Sequence, residues 1–156
     1  MTSDEATGGI LPGFRTLDEQ IAAAEAAGKE GDFPKAMAIL RGAVERHPDD
    51  ARARYALGLA IFLSFKADIT YQEIWEPLAD DEDLAEEAET ELEHAIELNP
   101  KMAEAYATLG ILKALRGVNK AAVEILEKAL ALEPGIFSVR ENLEIIKSRL
   151  DEGEAE

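Results

Sequence analysis

Residues 36–48 read AMAILRGAVERHP, residues 88–100 read AETELEHAIELNP, and residues 122–134 read AVEILEKALALEP. In register, all three spell Ala-x3-Leu-x2-Ala-x4-Pro: Ala36, Leu40, Ala43 and Pro48, then Ala88, Leu92, Ala95 and Pro100, then Ala122, Leu126, Ala129 and Pro134. Self-similarity at fixed spacing marks a stacked-repeat architecture, in which each unit buries its apolar face against its neighbours. Proline at the end of each phrase cannot continue a helix. The expected fold is all-α, a helix-turn-helix repeat solenoid.

The prolines set the period. Pro100 and Pro134 are 34 residues apart, whereas Pro48 and Pro100 are 52 apart, an excess of 18 in the middle unit. The excess falls at about 66–83. There Thr70 to Glu73 forms a capping box, and Tyr71, Ile74, Trp75 and Leu78 recur at helical spacing, which predicts a short inserted helix. Asp80 to Asp83 then put negative charge where the next helix begins, as its dipole favours. Thr16 to Glu19 is a second capping box, opening an Ala-rich helix that runs to about Lys29. Gly31-Asp32 breaks it, and a second helix runs to about His47. After Pro48, Asp49 is the expected cap of a third helix from Ala51 to Phe65, with Tyr55, Leu59 and Phe62 on one stripe. A last pair covers about Met102–Arg116 and Asn119–Leu132, and Ile136–Leu150 reads as an amphipathic capping helix. The expected organisation is a leader at 1–15, a repeat domain at 16–150 and a disordered acidic tail at 151–156. Within the domain, the repeats are at about 17–50, 51–100 and 101–134.

Composition narrows the function. The 156 residues are 47% hydrophobic and 31% charged, with 16 Lys and Arg against 33 Asp and Glu, a net charge of −17. Nucleic acid and anionic membrane surfaces both require clustered basic residues, so neither is an expected partner. The charge favours basic partners. The first nine residues carry no basic start followed by an apolar run, and there is no cysteine. A cytoplasmic protein without disulfides is expected.

Catalytic motifs are absent. His47 and His94 are far apart and lack metal-ligand spacing, and there is no phosphate loop, nucleophile motif or dinucleotide fingerprint. His94 is expected to pair with Glu91 or Glu97 on a helix surface. Asp80 to Asp83 lack the glycine and alternating ligands of a calcium loop. No cofactor, metal or enzymatic activity is expected.

The set Tyr106, Leu109, Gly110, Gly117, Ala122, Leu126, Ala129 and Pro134 resembles the tetratricopeptide-repeat family. The first unit departs from its pattern, with Ala23-Ala24 for Leu-Gly and Gln20 for the large aromatic. The resemblance implies three repeats that stack so that each unit's first helix lines a concave groove. Carried over in register, the groove candidates are Ile21, Glu25, Arg52, Tyr55, Leu59, Phe62, Ala107 and Ile111, apolar in the centre and acidic at the ends. Such a groove suits an amphipathic or hydrophobic segment of a protein or peptide partner. Tyr55, Leu59 and Phe62 fit equally a core covered by the insertion or by Ile10 to Phe14 folding back. Trp75 fits either a partner anchor or packing of the inserted helix. One subclass of the family grips acidic C-termini of heat-shock chaperones with Lys, Arg and Asn. Here those positions carry Ile21, Glu25, Glu104 and Thr108, and no such clamp is expected. The expected function is a scaffold or interaction module. A holding chaperone for a hydrophobic secreted substrate and a regulatory subunit of an enzyme complex are the alternatives, and self-association remains open.

Overall fold

The computed structural model describes residues 13–65 and 79–153. Seven helices account for nearly all of them: α1 (Leu17–Lys29), α2 (Phe33–Arg46), α3 (Ala51–Ser64), α4 (Ala79–Leu98), α5 (Ala103–Leu115), α6 (Asn119–Leu132) and α7 (Phe137–Asp151). Each packs on the next in sequence, and α1, α3, α5 and α7 touch one another in turn. The result is two layers: α1, α3, α5 and α7 side by side, with α2, α4 and α6 behind. Trp75, the capping box at Thr70 and most of the expected insertion lie outside the described residues. So do Ile10 to Pro12 and the last three residues. α4 starts at Ala79, so 79–83 belong to it.

The helix starts follow the sequence with small shifts. Thr16 Oγ1 accepts from the Glu19 amide at 3.1 Å, while the Glu19 carboxylate accepts from the Arg15 amide at 2.8 Å, one residue before the cap. Asp32 caps α2 through the Lys35 amide. Asp50, rather than the expected Asp49, caps α3 by accepting from the Arg52 amide at 2.8 Å. Asp49 is one residue too early to reach that amide.

The repeated phrase is the core. Ala36, Leu40, Ala43, Ala88, Leu92, Ala95, Ala122, Leu126 and Ala129 are each at most 2% exposed. Their partners on the first helices explain the glycines. A Cβ at Gly58 would fall 2.7 Å from Leu92 Cγ, and one at Gly110 would fall 2.6 Å from Leu126 Cγ and Cδ2. Non-bonded carbons normally sit about 3.5–4.0 Å apart. Glycine is therefore what lets α3 meet α4 and α5 meet α6 at this distance. The equivalent residue of α7 is Glu144, which is exposed.

The turns explain where the chain departs from its period. Gly31 and Gly117 both have left-handed φ, +81° and +80°. Their two turns share a pattern: the glycine amide donates three residues back, and the next amide donates five back, from Asp32 to Ala27 and from Val118 to Lys113. This is the helix-ending geometry that favours glycine. The middle unit has Phe65 in that register, with φ −72°. The Phe65 amide also donates three residues back, to Phe62, but without the left-handed φ of the two glycines, and it is here that the 18 extra residues enter.

α4 is also fixed electrostatically. Arg41 of α2 bonds both carboxylate oxygens of Glu87, at 2.9 and 2.8 Å. Arg54 of α3 reaches Glu91 at 3.0 Å, and Lys113 of α5 reaches Glu89 at 2.8 Å. Arg116 pairs with Glu89 at 2.8 Å and also with Glu82. Glu91 is thus taken by Arg54 rather than by His94, whose Nδ1 is buried without a hydrogen bond among the described residues. Much of the acid in α4 is internal cement between layers.

Candidate functional site

A groove of about 690 Å³ runs between α1 and α3. Asp18, Ile21, Ala22, Glu25, Gly28 and Lys29 form one wall, successive turns of a single stripe on α1. The other wall is Arg52, Tyr55, Ala56, Leu59, Ala60 and Leu63 on α3, again at three- and four-residue spacing. Phe33, Ala36 and Leu40 of α2 close the floor. The groove is open because α1 lacks bulk. Its facing residues Ala22, Glu25 and Gly28 stand in register with Ala56, Leu59 and Phe62 of α3 and with Thr108, Ile111 and Ala114 of α5. A wall built on helices is preorganised, so an occupant meets little ordering cost.

Five of the sequence-derived candidates meet here: Ile21, Glu25, Arg52, Tyr55 and Leu59. Phe62 does not line the groove and is half-buried against the main core cluster. Ala107 is buried, and Ile111 packs partly buried in the cluster that α5 and α6 share with Val139, Leu143 and Ile146 of α7. α7 lies beside α5 there, as α3 lies beside α1. Leu63 was missed by the sequence reading. It is 48% exposed and lines the groove. The i, i+4, i+8 series Tyr55, Leu59, Leu63 carries the signal that finds it.

Tyr55 has a second occupation. Its ring packs against the main cluster and against the smaller one around Ala95, Met102 and Ala105. Burial raises its phenol above the ordinary value, opposed by a hydrogen bond with Thr108 and aided by the charge of Glu104. Tyr55 is therefore both groove wall and core.

The ends of the groove are not simply acidic. Arg52 donates to Asp18 across the helices at 2.8 Å and to Asp50 at 3.2 Å. Hydrogen bonds to Asp50 first and Asp18 second raise the guanidinium above its ordinary value. Burial pushes the Asp50 carboxyl up, but hydrogen bonds from the Arg52 side chain and amide outweigh it and hold the group below its usual range. At the far end Lys29 adds a positive charge. Among the described residues no three His, Asp or Glu side chains gather as a metal site, and no helix is long and apolar enough to cross a membrane.

Comparisons with known proteins agree with this architecture. A tetratricopeptide-repeat family model matches residues 17–60, the first helix pair and most of α3. The sequence matches no curated protein. Among solved structures, the first tetratricopeptide-repeat domain of Spaghetti (RPAP3), bound to the HSP90 peptide SRMEEVD, superposes with a TM-score of 0.71 at 18% identity, over 86% of this chain and 93% of that one. The Sgt2 domain from Aspergillus fumigatus gives 0.70 at 19% identity, over 90% and 87%. The second domain of human RPAP3, in complex with the HSP70 peptide SGPTIEEVD, gives 0.66 at 21% identity, over 85% and 98%. At these identities the likeness carries the fold. Residues 17–60 thus match the tetratricopeptide-repeat family, and the helix stack through α7 has the fold of its solved domains.

Proposed function

We propose that this protein is a non-enzymatic, cytoplasmic interaction module that holds an apolar segment of a partner protein in the α1/α3 groove. The observation that carries the reading is the open, helix-walled groove with Leu63 half-exposed on its rim. Apolar helix-lined grooves of this kind suit the apolar face of an amphipathic segment. The peptide complexes of the two RPAP3 domains support peptide binding by the fold. Acidic peptides like theirs do not suit this chain. Its net charge is −17, Arg52 is already shared by Asp18 and Asp50, and Glu25 and Glu104 stand on the same layer of first helices. SRMEEVD is expected not to bind.

The test is affinity capture from native lysate, with wild type beside a Leu59→Asp, Leu63→Asp variant. Tyr55 is left alone because it also holds core. A partner captured by wild type and lost from a variant of unchanged helicity supports the groove. Interface anchors typically contribute about 1–2 kcal/mol or more, so the loss should be at least tenfold. A partner retained by the folded variant refutes it.

A further inference from the structure

The α1 wall contains a carboxylate with no ion-pair partner among the described residues. Glu25 sits midway along it, exposed, between Ile21 one turn back and Lys29 one turn on. Among the described residues no cation lies within 4 Å of it, although four carboxylates of α4 are matched to Arg or Lys. Across the groove its register neighbour is Leu59, so the carboxylate looks over apolar surface. At one end Arg52 is neutralised by two aspartates, and Glu104 of α5 is near enough to act on the Tyr55 phenol. Even with Lys29 counted, the two aspartates on Arg52, Glu25 and Glu104 leave the charge about the groove net negative, on a chain of −17.

Resting on the groove reading above, we infer that the occupant is a basic amphipathic segment. Its apolar side chains lie on Ile21, Leu59 and Leu63, and a Lys or Arg pairs with Glu25. An acidic segment of the same apolar pattern meets repulsion from Glu25 and from the field of the whole chain. Complementary charge selects partners mainly by penalising the wrong sign.

Two synthetic 18-residue helices test this. They share leucines at i, i+3, i+4 and i+7 positions, and one has Lys and the other Glu at its remaining sites. Binding to the full chain is read by fluorescence anisotropy at low and at moderate salt. The Lys peptide should bind more tightly. Glu25→Gln should weaken it by about two- to fivefold, the range of one exposed ion pair, and leave the Glu peptide no weaker. Glu25 is exposed and Leu63 half-exposed, so neither Glu25→Gln nor Leu63→Ser threatens the fold. Leu63→Ser should weaken the Lys peptide in both salts. Equal binding of both peptides, sensitive to Leu63→Ser and indifferent to Glu25→Gln, overturns the charge preference and leaves the groove standing. Lys-peptide binding that ignores Leu63→Ser, or no binding by either peptide, overturns the groove itself.

Discussion

Gly110→Ala should destabilise this protein although alanine is the better helix former. In a free helix the exchange would stabilise by about 1 kcal/mol. Here the new Cβ would lie 2.6 Å from two carbons of Leu126, about 1 Å inside ordinary contact. Leu126 is 0% exposed, and the Ala122 carbonyl lies 3.4 Å from the same point. The leucine has no free space to swing into, so α5 and α6 must separate. Overpacking of this kind costs about 1–3 kcal/mol. Set against the propensity gain, the net loss is about 1 kcal/mol, a fall in Tm of roughly 2–4 °C at this chain length. A double-mutant cycle by thermal and urea unfolding isolates the cause. Leu126→Ala alone should cost about 2–5 kcal/mol. In that background the clash is gone, and Gly110→Ala should turn stabilising. A coupling energy of about 1–3 kcal/mol between the two sites is the expected result. Stabilisation by Gly110→Ala in the parent chain, or a coupling near zero, would refute the close-approach role of the glycine.

Three further outcomes are expected. Gln20 is 1% exposed and its Oε1 has no hydrogen-bond partner among the described residues, so Gln20→Met should raise stability by about 1 kcal/mol in urea melts. Glu89→Gln should cost about 2 kcal/mol, because Lys113 and Arg116 both lean on that carboxylate at 2.8 Å with little solvent around them; removing one of the two cations should cost less. Asp50 is held below its ordinary range when folded. Its stabilisation is therefore complete above the unfolded carboxyl value and lost as pH falls through the lower folded one. Stability of Asp50→Asn should fall less steeply below about pH 4 than that of the parent chain, with the α3 cap preserved.

The repeat was legible because its physics is local. Small residues at Ala36, Ala43 and their counterparts must lie on the buried stripe, and the prolines must end it. The cap at Asp50, one place from the residue expected, was decided by which side chain reaches the Arg52 amide, a detail that two adjacent aspartates leave open. The ion pairs of α4 were not legible. Glu91 sits a helical turn from His94 in sequence, yet Arg54, 37 residues away, claims it. The groove was half legible. Register alone placed Ile21, Glu25, Tyr55 and Leu59 on facing stripes. It also offered Phe62 and Ile111, because it carries no record of which interhelical gap a neighbour fills. That α7 would occupy the α5 side and that Ala22 and Gly28 would leave the α1 side open depends on side-chain volume across helices.

Glu144 sets α7 apart from α3 and α5. At Gly58 and Gly110 the first helices present a bare backbone notch that receives a leucine from the helix behind. α7 carries the same register, with an exposed glutamate where the glycine would stand. A second molecule packing a helix there would have to strip water from a carboxylate. α7 therefore accepts α6 on one flank and presents a carboxylate, rather than a leucine seat, on the other.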